Sequence, residues 1–341
     1  MIRALLSHDL PRSRILGALL IACFVGLLGA PFIFPGTQAL NVAAKILVFI
    51  LLVASYDLLL GYTGIVSFAH TMFVDIGAYG IAIAATRLGP DWSSLAIGFA
   101  AALALSAALA LAMGLASLRV KAIFFAMITL AVASAFMTLA SQLSDFTGGE
   151  DGLNFQLPEA LRPSTEFMEE PVLGVTLDGR LLTYYLLFVA VAALVALLLR
   201  IVNSPFGRVL QAIRDAESRV MFCGYNPLAY KLAIWTLSAV MCGIAGALYV
   251  PQVGIINPSE MSPASGIEIA IWAAVGGRAT LIGPIIGAFF VNGAKSWFTV
   301  AFPEFWLYFL GALFILVTLF LPDGIVGGVK KLLNKNAEVK A

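Results

Sequence analysis

Two carboxylates stand out in this sequence because each lies inside a long apolar segment. Asp75 and Glu268 fall near the middle of their segments. An unpaired charge at the centre of a bilayer costs about 3 kcal/mol on insertion scales. We expect both to be paired, neutral or hydrogen-bonded, either beside a transport pathway or as structural groups. Lys45, Asp57 and Lys295 fall nearer the ends of apolar segments and are expected to reach towards the membrane edges.

The sequence lacks the motifs of the common enzyme classes. It contains no Walker phosphate-binding loop, no His-Glu-x-x-His pair and no Cys-x-x-Cys pair. Its two histidines, His8 and His70, are too few for a multi-histidine metal site. We therefore predict no catalytic residue, no metal site and no cofactor in this chain. Cys23, Cys223 and Cys242 lie far apart in apolar sequence and are expected to be buried and unpaired.

A glycine-rich segment runs from Gly61 to Gly80 and begins between two apolar segments. A break in a helix frees backbone groups, which in lipid must be satisfied by protein or by a water-lined cavity. The segment predicts either a broken helix beside a pathway or a plain turn at the membrane surface. The candidate pathway or broken-helix residues are Gly61, Gly64, Ser67, His70, Asp75, Glu268, Gly276 and Gly277.

A more polar segment at 203–227 separates two apolar segments and has an amphipathic pattern. Apolar residues such as Leu210 and Ile213 alternate with charged residues, and Gly224 is placed to end a helix before Pro227. A short helix of this kind could lie on the membrane surface or insert into a groove on a partner protein.

The elements that position these residues must be membrane helices. Of the 341 residues, 61% are hydrophobic and 11% are charged, so the chain cannot build the polar shell of a water-soluble globule. The net charge of +1 offers no basic face for nucleic acid. We predict an all-α polytopic membrane protein with about ten transmembrane helices. The ten apolar segments are 15–34, 39–60, 66–86, 94–117, 122–143, 181–202, 228–250, 264–279, 282–301 and 305–321.

The distribution of basic residues predicts the orientation. Placing the N-terminus in the cytoplasm puts 15 of the 20 Lys and Arg residues inside, as the positive-inside rule requires. If the short segment 264–279 crosses, the C-terminus is also inside. The chain then forms a single transmembrane domain, 1–341, with a periplasmic loop at 144–180, a cytoplasmic loop at 203–227 and a cytoplasmic tail at 330–341.

Ten spans would place five helices on each side of the long outer loop, in opposite orientations. Inverted five-helix halves with broken helices are typical of many transporters. No convincing sequence repeat accompanies this arrangement, so the equal counts could also be a coincidence. The glycine and alanine residues within the segments favour close helix packing in either case.

Taken together, these segments resemble the permease subunits of ABC importers for branched-chain amino acids (LivM type) and urea (UrtC type). The resemblance extends from about Leu47 to Gly328 and includes 61–80, 147–153, 204–226 and 276–284. It implies that residues 206–224 form the coupling helix that seats in an ATPase subunit. The candidate coupling residues are Phe206, Gly207, Arg208, Ala212, Ile213, Arg214, Asp215, Glu217, Arg219 and Gly224.

The same resemblance implies partners and a location. It implies a second, non-identical permease, cytoplasmic ATPase subunits that bind ATP and Mg²⁺, and a periplasmic binding protein, all at the bacterial inner membrane. Urea is the favoured substrate, because residues 214–306 are similar to the urea branch. Residues 121–130 and 148–152 look more like amino-acid importers, which makes branched-chain amino acids the alternative. A passive channel for small solutes, independent of ATP, is an alternative of another class.

One departure from the family pattern concerns the turn at 276–280. Ala279 occupies a place in the Gly-Gly-Arg-x-Thr turn where the family pattern has glycine. If that turn requires a positive backbone angle, alanine there is strained.

Overall fold

The structure is a computed structural model. It describes residues 14–33, 36–120, 122–162, 165, 178–277, 280, 282–320 and 324–326. Ala279, the tail at 330–341 and residues 166–177 of the expected outer loop lie outside the described residues.

Helices account for most of the described chain, and one falls in each of the ten apolar segments. The long helices are α1 (Arg14–Ile33), α2 (Thr37–Thr63), α3 (His70–Leu88), α4 (Trp92–Ser117), α5 (Ala122–Gln142), α6 (Gly179–Val202), α7 (Pro205–Phe222), α8 (Pro227–Val253), α9 (Pro263–Gly276), α10 (Ile282–Ala301) and α11 (Trp306–Phe320). A single helical turn, Ser144–Thr147, follows α5. Two short strands, β1 (Leu153–Asn154) and β2 (Ile255–Ile256), pair antiparallel and join the loop after α5 to the loop after α8.

Six of the helices in the described residues are long and apolar enough to cross a membrane: α2, α3, α4, α5, α6 and α8. This confirms an all-α polytopic membrane protein, while the count of ten spans and the orientation stay predictions. The helix in the weakest segment, α9, has 14 residues. At 1.5 Å per residue it is about 21 Å long, which is shorter than the hydrocarbon core.

The core is built around α2, α3 and α8. In α2, 83% of the most apolar stretch is buried, against 17% in α5, which presents its apolar surface outwards. Glycines bring α3 and α8 into backbone contact: a Cβ on Gly246 would lie 1.7 Å from the carbonyl oxygen of Val74. A Cβ on Gly77 would lie 1.9 Å from the carbonyl oxygen of Gly243. This is the close approach through small residues that the composition predicts.

Several positions differ from the sequence-based expectation. Helix α3 begins at His70, four residues after the start of the apolar segment, because residues 64–69 are not helical. Asp57 is fully buried in α2, although it falls near the end of its apolar segment. Cys23 and Cys242 are buried as expected, but Cys223 is exposed at the end of α7, where the chain turns towards α8.

Candidate functional site

The break between α2 and α3 consists of residues 64–69 and lies largely inside the protein. Gly64 caps α2 with φ 74°, and its N–H donates to the carbonyl of Leu60. Ser67 is fully buried and its hydroxyl accepts the N–H of Ala69. The N–H of Phe68 donates to Thr129 Oγ1 on α5 over 3.1 Å. Side chains thus satisfy backbone groups that lipid could not satisfy, which favours the broken helix over the surface turn.

Helix α7 contains all but one of the candidate coupling residues. Its buried face includes Gly207, Leu210 and Ile213. Gly207 is required for the turn out of α6, because a Cβ there would lie 2.0 Å from the carbonyl oxygen of Val202. Phe206 is partly buried and stacks on Tyr230 of α8 with ring centroids 5.4 Å apart. The exposed candidates are Arg208, Ala212, Arg214, Asp215, Glu217, Arg219 and, just after the helix, Gly224.

The second half of α7 ends in an exposed apolar surface. The helix is interrupted at Ala216, whose backbone angles (φ −159°, ψ 78°) are not helical. Met221 is 54% exposed and Phe222 is 92% exposed. An exposed phenylalanine beside charged residues is typical of a contact with another protein or with lipid.

Two polar contacts connect α7 to the membrane helices. Arg214 Nη1 donates to the carbonyl of Gly61, near the end of α2, over 2.6 Å. Glu217 pairs with Lys231 near the start of α8, with Nζ and Oε1 2.6 Å apart. These contacts join α7 to the end of α2, close to the α2–α3 break, and to the start of α8.

A cavity lies within the bundle, between α2, α3, α8, α9 and α10. Its interior space is about 60 Å³, which is room for a few water molecules rather than for an amino acid. Its lining residues are Val48, Phe49, Leu52, Thr71, Val74, Asp75, Tyr249, Glu260, Ser265, Glu268, Ile269, Trp272 and Lys295.

Three buried polar groups of the cavity wall have unused hydrogen-bonding atoms. Asp75 is 2% exposed, and its Oδ2 has no hydrogen-bond partner among the described residues. The same holds, within that part of the chain, for Thr71 Oγ1 and Trp272 Nε1, whose residues are 5% and 2% exposed. Unsatisfied buried polar groups are rare and costly in native proteins, so three around one cavity indicate a place where a polar molecule binds.

Glu268 and Lys295 form an ion pair across the α9–α10 hairpin. Lys295 Nζ lies 2.6 Å from Glu268 Oε2 and 5.8 Å from the centre of the Trp272 ring. Lys295 therefore turns towards the cavity and a partner, which differs from the expectation that it reaches towards the membrane edge. The pair joins the two helices at the cavity wall.

The remaining candidate pathway residues are not in the cavity wall. His70 is 1% exposed, and its Nε2 lies 2.8 Å from Ser238 Oγ on α8. Its ring contacts Tyr56 and Trp235 edge-on, so it belongs to the core. Gly276 is the last residue of α9 and Gly277 caps it; a Cβ on Gly276 would lie 1.9 Å from the backbone oxygen of Gly283 in α10.

Sequence reasoning missed several residues of the cavity wall, including Thr71, Tyr249, Glu260, Ser265 and Trp272. Two of these residues could have been identified from their spacing to a predicted carboxylate on the same helix. Thr71 precedes Asp75 by four residues, and Trp272 follows Glu268 by four, so each pair shares one helix face. Glu260 and Tyr249 carried no such signal, because they reach the cavity from other segments.

The carboxyl groups of the cavity are spread along its wall. Within the described ranges, no three His, Cys, Asp or Glu side chains lie close enough together to hold a metal ion. Asp75, Glu260 and Glu268 are instead distributed over three segments, and Glu268 is occupied by Lys295.

Comparison with known proteins gives a consistent family assignment. Residues 38–318 match the family described as branched-chain amino acid transport system, permease component. The chain is 25% identical over 302 residues to the high-affinity branched-chain amino acid transport system permease protein LivM of Salmonella typhimurium, covering 84% of this chain and 70% of that protein.

Two further relatives are similar. LivM of Escherichia coli strain K12 is 25% identical over 322 residues, covering 90% of this chain and 74% of that protein. The high-affinity branched-chain amino acid transport system permease protein BraD of Pseudomonas aeruginosa is 25% identical over 286 residues, covering 81% of this chain and 91% of that protein. No solved structure matches this chain.

Proposed function

The chain belongs to the family of permease components of branched-chain amino acid transport systems, and from this premise we propose that it forms part of the translocation path of an ATP-driven importer. It is a LivM-type, multi-pass protein of the inner membrane and a transport subunit rather than an enzyme. ATP and Mg²⁺ are bound by separate cytoplasmic ATPase subunits in this proposal. A second, non-identical permease completes the path, and a periplasmic binding protein delivers the substrate.

Branched-chain amino acids are the proposed substrate. The relatives LivM and BraD are named for branched-chain amino acid transport, which supports the alternative drawn from the first half of the sequence. The expectation that urea is favoured finds no support among these relatives. The apolar wall of the cavity, which includes Val48, Leu52 and Ile269, also suits an aliphatic side chain better than it suits urea.

The observation that carries the proposed mechanism is the contact between Arg214 of α7 and the carbonyl of Gly61. An ABC importer must convert the closing of its ATPases into a rearrangement of membrane helices. Helix α7 presents an exposed apolar end at Phe222 to a partner, while Arg214 joins the same helix to the α2–α3 break. The non-helical residue Ala216 separates these two contacts, so a coupling role for 206–224 requires that movement at the Phe222 end passes through this interruption to Arg214.

The test is ATP-dependent uptake of labelled leucine and labelled urea by vesicles that contain this chain with its permease, ATPase and binding-protein partners. We expect leucine uptake that requires ATP. Urea uptake without leucine uptake would contradict the substrate assignment. Uptake of either solute without ATP would favour the passive channel.

Variants of α7 test the coupling role separately. Arg214→Gln should lower leucine uptake by about tenfold while ATP hydrolysis continues, since loss of a coupling contact uncouples the two events. Combined charge reversal at Arg214 and Arg219 should do the same with normal membrane insertion. Arg162→Gln is the matched control, because Arg162 also donates to a backbone carbonyl, that of Leu157, over 2.8 Å but lies in the outer loop. Wild-type uptake in the Arg214 variants would remove the coupling assignment.

A further inference from the structure

We propose that the cavity between α2, α3 and α9 is an intramembrane binding site for a zwitterionic aliphatic amino acid, with Asp75 as the group that binds the α-ammonium. The proposal rests on the proposed function and deepens it by naming the site and the ligand chemistry. It follows from three features of the cavity wall: its charge, its unused hydrogen-bonding atoms and its apolar side.

The carboxyl groups of the wall suit a ligand with a positive group. Asp75, Glu260 and Glu268 line the cavity together with the ammonium of Lys295, which Glu268 already binds. Glu260 is exposed and Asp75 is 2% exposed, so the carboxylates extend from the surface to the interior. A buried carboxylate oxygen without a partner in the described structure is the group that an ammonium would satisfy.

The cavity wall also contains hydrogen-bond donors that a carboxylate could accept from. The Thr71 hydroxyl and the Trp272 indole N–H line the cavity, are buried and lack partners among the described residues. Ser265 lies in the first turn of α9, where its N–H and its hydroxyl already bond to Ser262 Oγ, so that this helix end contributes its dipole to the binding of an anionic group. The Thr71 and Trp272 donors suit the carboxylate of an amino acid. In other transporter folds, the N-termini of half-helices point at such a carboxylate.

The third feature is an aliphatic surface of the right kind. Val48 and Leu52 of α2, Val74 of α3 and Ile269 of α9 complete the wall. A molecule with an ammonium, a carboxylate and an apolar side chain matches all three regions, whereas urea has neither a carboxylate nor an apolar part. The present space of about 60 Å³ is too small for leucine, so the ligand must occupy a wider state of the transport cycle.

The experiment measures ligand protection of an introduced cysteine in the assembled transporter. In Ser265→Cys, the rate of modification by a small thiol reagent is measured with and without leucine, both without nucleotide and with a non-hydrolysable ATP analogue. The parent chain, in which Cys223 is exposed, provides the background rate. We expect leucine to slow the modification of residue 265 in at least one of the two states.

Analogues and variants then identify the contacts. 4-Methylpentanoate, which lacks the ammonium, should protect at least about tenfold less well than leucine, as expected for loss of a charge-assisted hydrogen bond. Asp75→Asn in the Ser265→Cys background should weaken leucine protection by a similar factor, and Asp75→Glu should restore part of it. Assembly with the partner subunits shows that each variant is folded.

Several results would overturn the proposal. Equal modification rates with and without leucine in both states would remove the site. Full protection in Asp75→Asn would show that Asp75 is only structural, and equal protection by urea would assign the cavity to neutral amides. Because protection does not depend on ATP hydrolysis, it separates the two proposals: protection without ATP-driven uptake would reject the proposed function and leave the site intact.

Discussion

Two breaks between helices, at 64–69 and at the turn between α9 and α10, are stabilised in different ways. At 64–69 the chain leaves the helical path inside the protein, and Ser67 and Thr129 supply the hydrogen bonds that the backbone loses. At the second break the glycines remove side chains, so that α9 and α10 touch through their backbones. A Cβ on Gly287 would lie 2.3 Å from the carbonyl oxygen of Trp272.

The break at 64–69 is therefore polar, whereas the break between α9 and α10 is tightly packed. The first is joined to α7 through Arg214 and Gly61, so it is placed to respond to a partner. The second ties α9 and α10 into one unit, which the Glu268–Lys295 pair reinforces. Rigid units that move about a polar break are the elements that alternating access requires.

We expect the largest loss of stability from a larger side chain at the packed break between α9 and α10. Gly276→Ala places a methyl group 1.9 Å from the Gly283 carbonyl oxygen, and the backbone must move, at a cost of about 3 kcal/mol. Thermal unfolding of the purified protein in detergent should show a clearly lower Tm. Gly293→Ala on α10 is the control, since no heavy atom lies within 4 Å of the Cβ position. Equal Tm values for both variants would contradict the close packing.

We expect an intermediate loss of stability when the ion pair of the α9–α10 hairpin is removed. Glu268→Gln should cost about 1–2 kcal/mol, because Lys295 then loses its partner in a partly buried place. Uptake of leucine should fall as well. The double variant with Lys295→Gln should lose less stability than the sum of the single variants, and strict additivity would show that the pair is not coupled. Glu217→Gln, which breaks a more exposed pair, should cost less.

The polar break should be sensitive to the loss of one hydroxyl. Thr129→Val removes the acceptor of the Phe68 N–H and should cost about 1–2 kcal/mol, since that donor is left without an acceptor. Thr138→Val is the matched control on the same helix, because its exposed hydroxyl bonds only to the carbonyl of Ser134, four residues before it. The difference in Tm between the two variants measures the contribution of the break. No difference would mean that the break is satisfied in another way.

We expect the smallest loss of stability when the glycine that caps α2 is replaced. Gly64→Ala and Gly224→Ala both place alanine at a positive φ, of 74° and 87°, and each should cost about 1 kcal/mol. A Cβ on Gly64 also lies 3.4 Å from Arg214 Cγ, whereas the Gly224 site is open. Gly64→Ala should therefore lower uptake per ATP hydrolysed more than Gly224→Ala does. Equal uptake per ATP hydrolysed in the two variants would argue against transmission of movement between Arg214 and the end of α2.

Much of the fold could be predicted from the sequence, because lipid allows few structures. The ten apolar segments each contain a helix, and the amphipathic pattern at 203–227 is the helix α7. The predictions failed where neighbours in space decide the environment. Asp57 lies close to a segment end in the sequence, yet it is buried because other helices cover that end of α2. Cys223 lies in apolar sequence, yet it is exposed because none of the described helices covers it.

The candidate site was only partly predictable. Asp75 and Glu268 were identified because a carboxylate in an apolar segment is costly, which is a property of the sequence alone. Their partners were not identified: Lys295 is 27 residues from Glu268, and Thr71, Trp272 and Glu260 meet Asp75 at one cavity only in the folded chain. His70 was grouped with the pathway or broken-helix residues, and only the structure shows that it follows the break and packs against Tyr56, Trp235 and Ser238.

Composition and hydropathy by themselves determined the class of this protein, its helices and the segments in which glycine interrupts them. The reason is that backbone hydrogen bonding in lipid is satisfied locally, within each helix. The tertiary structure alone decided which polar groups share a cavity, which carboxylate has a cation beside it and which arginine of α7 reaches the α2–α3 break. Those contacts join residues far apart in the chain, and only the packing of helices against each other brings them together.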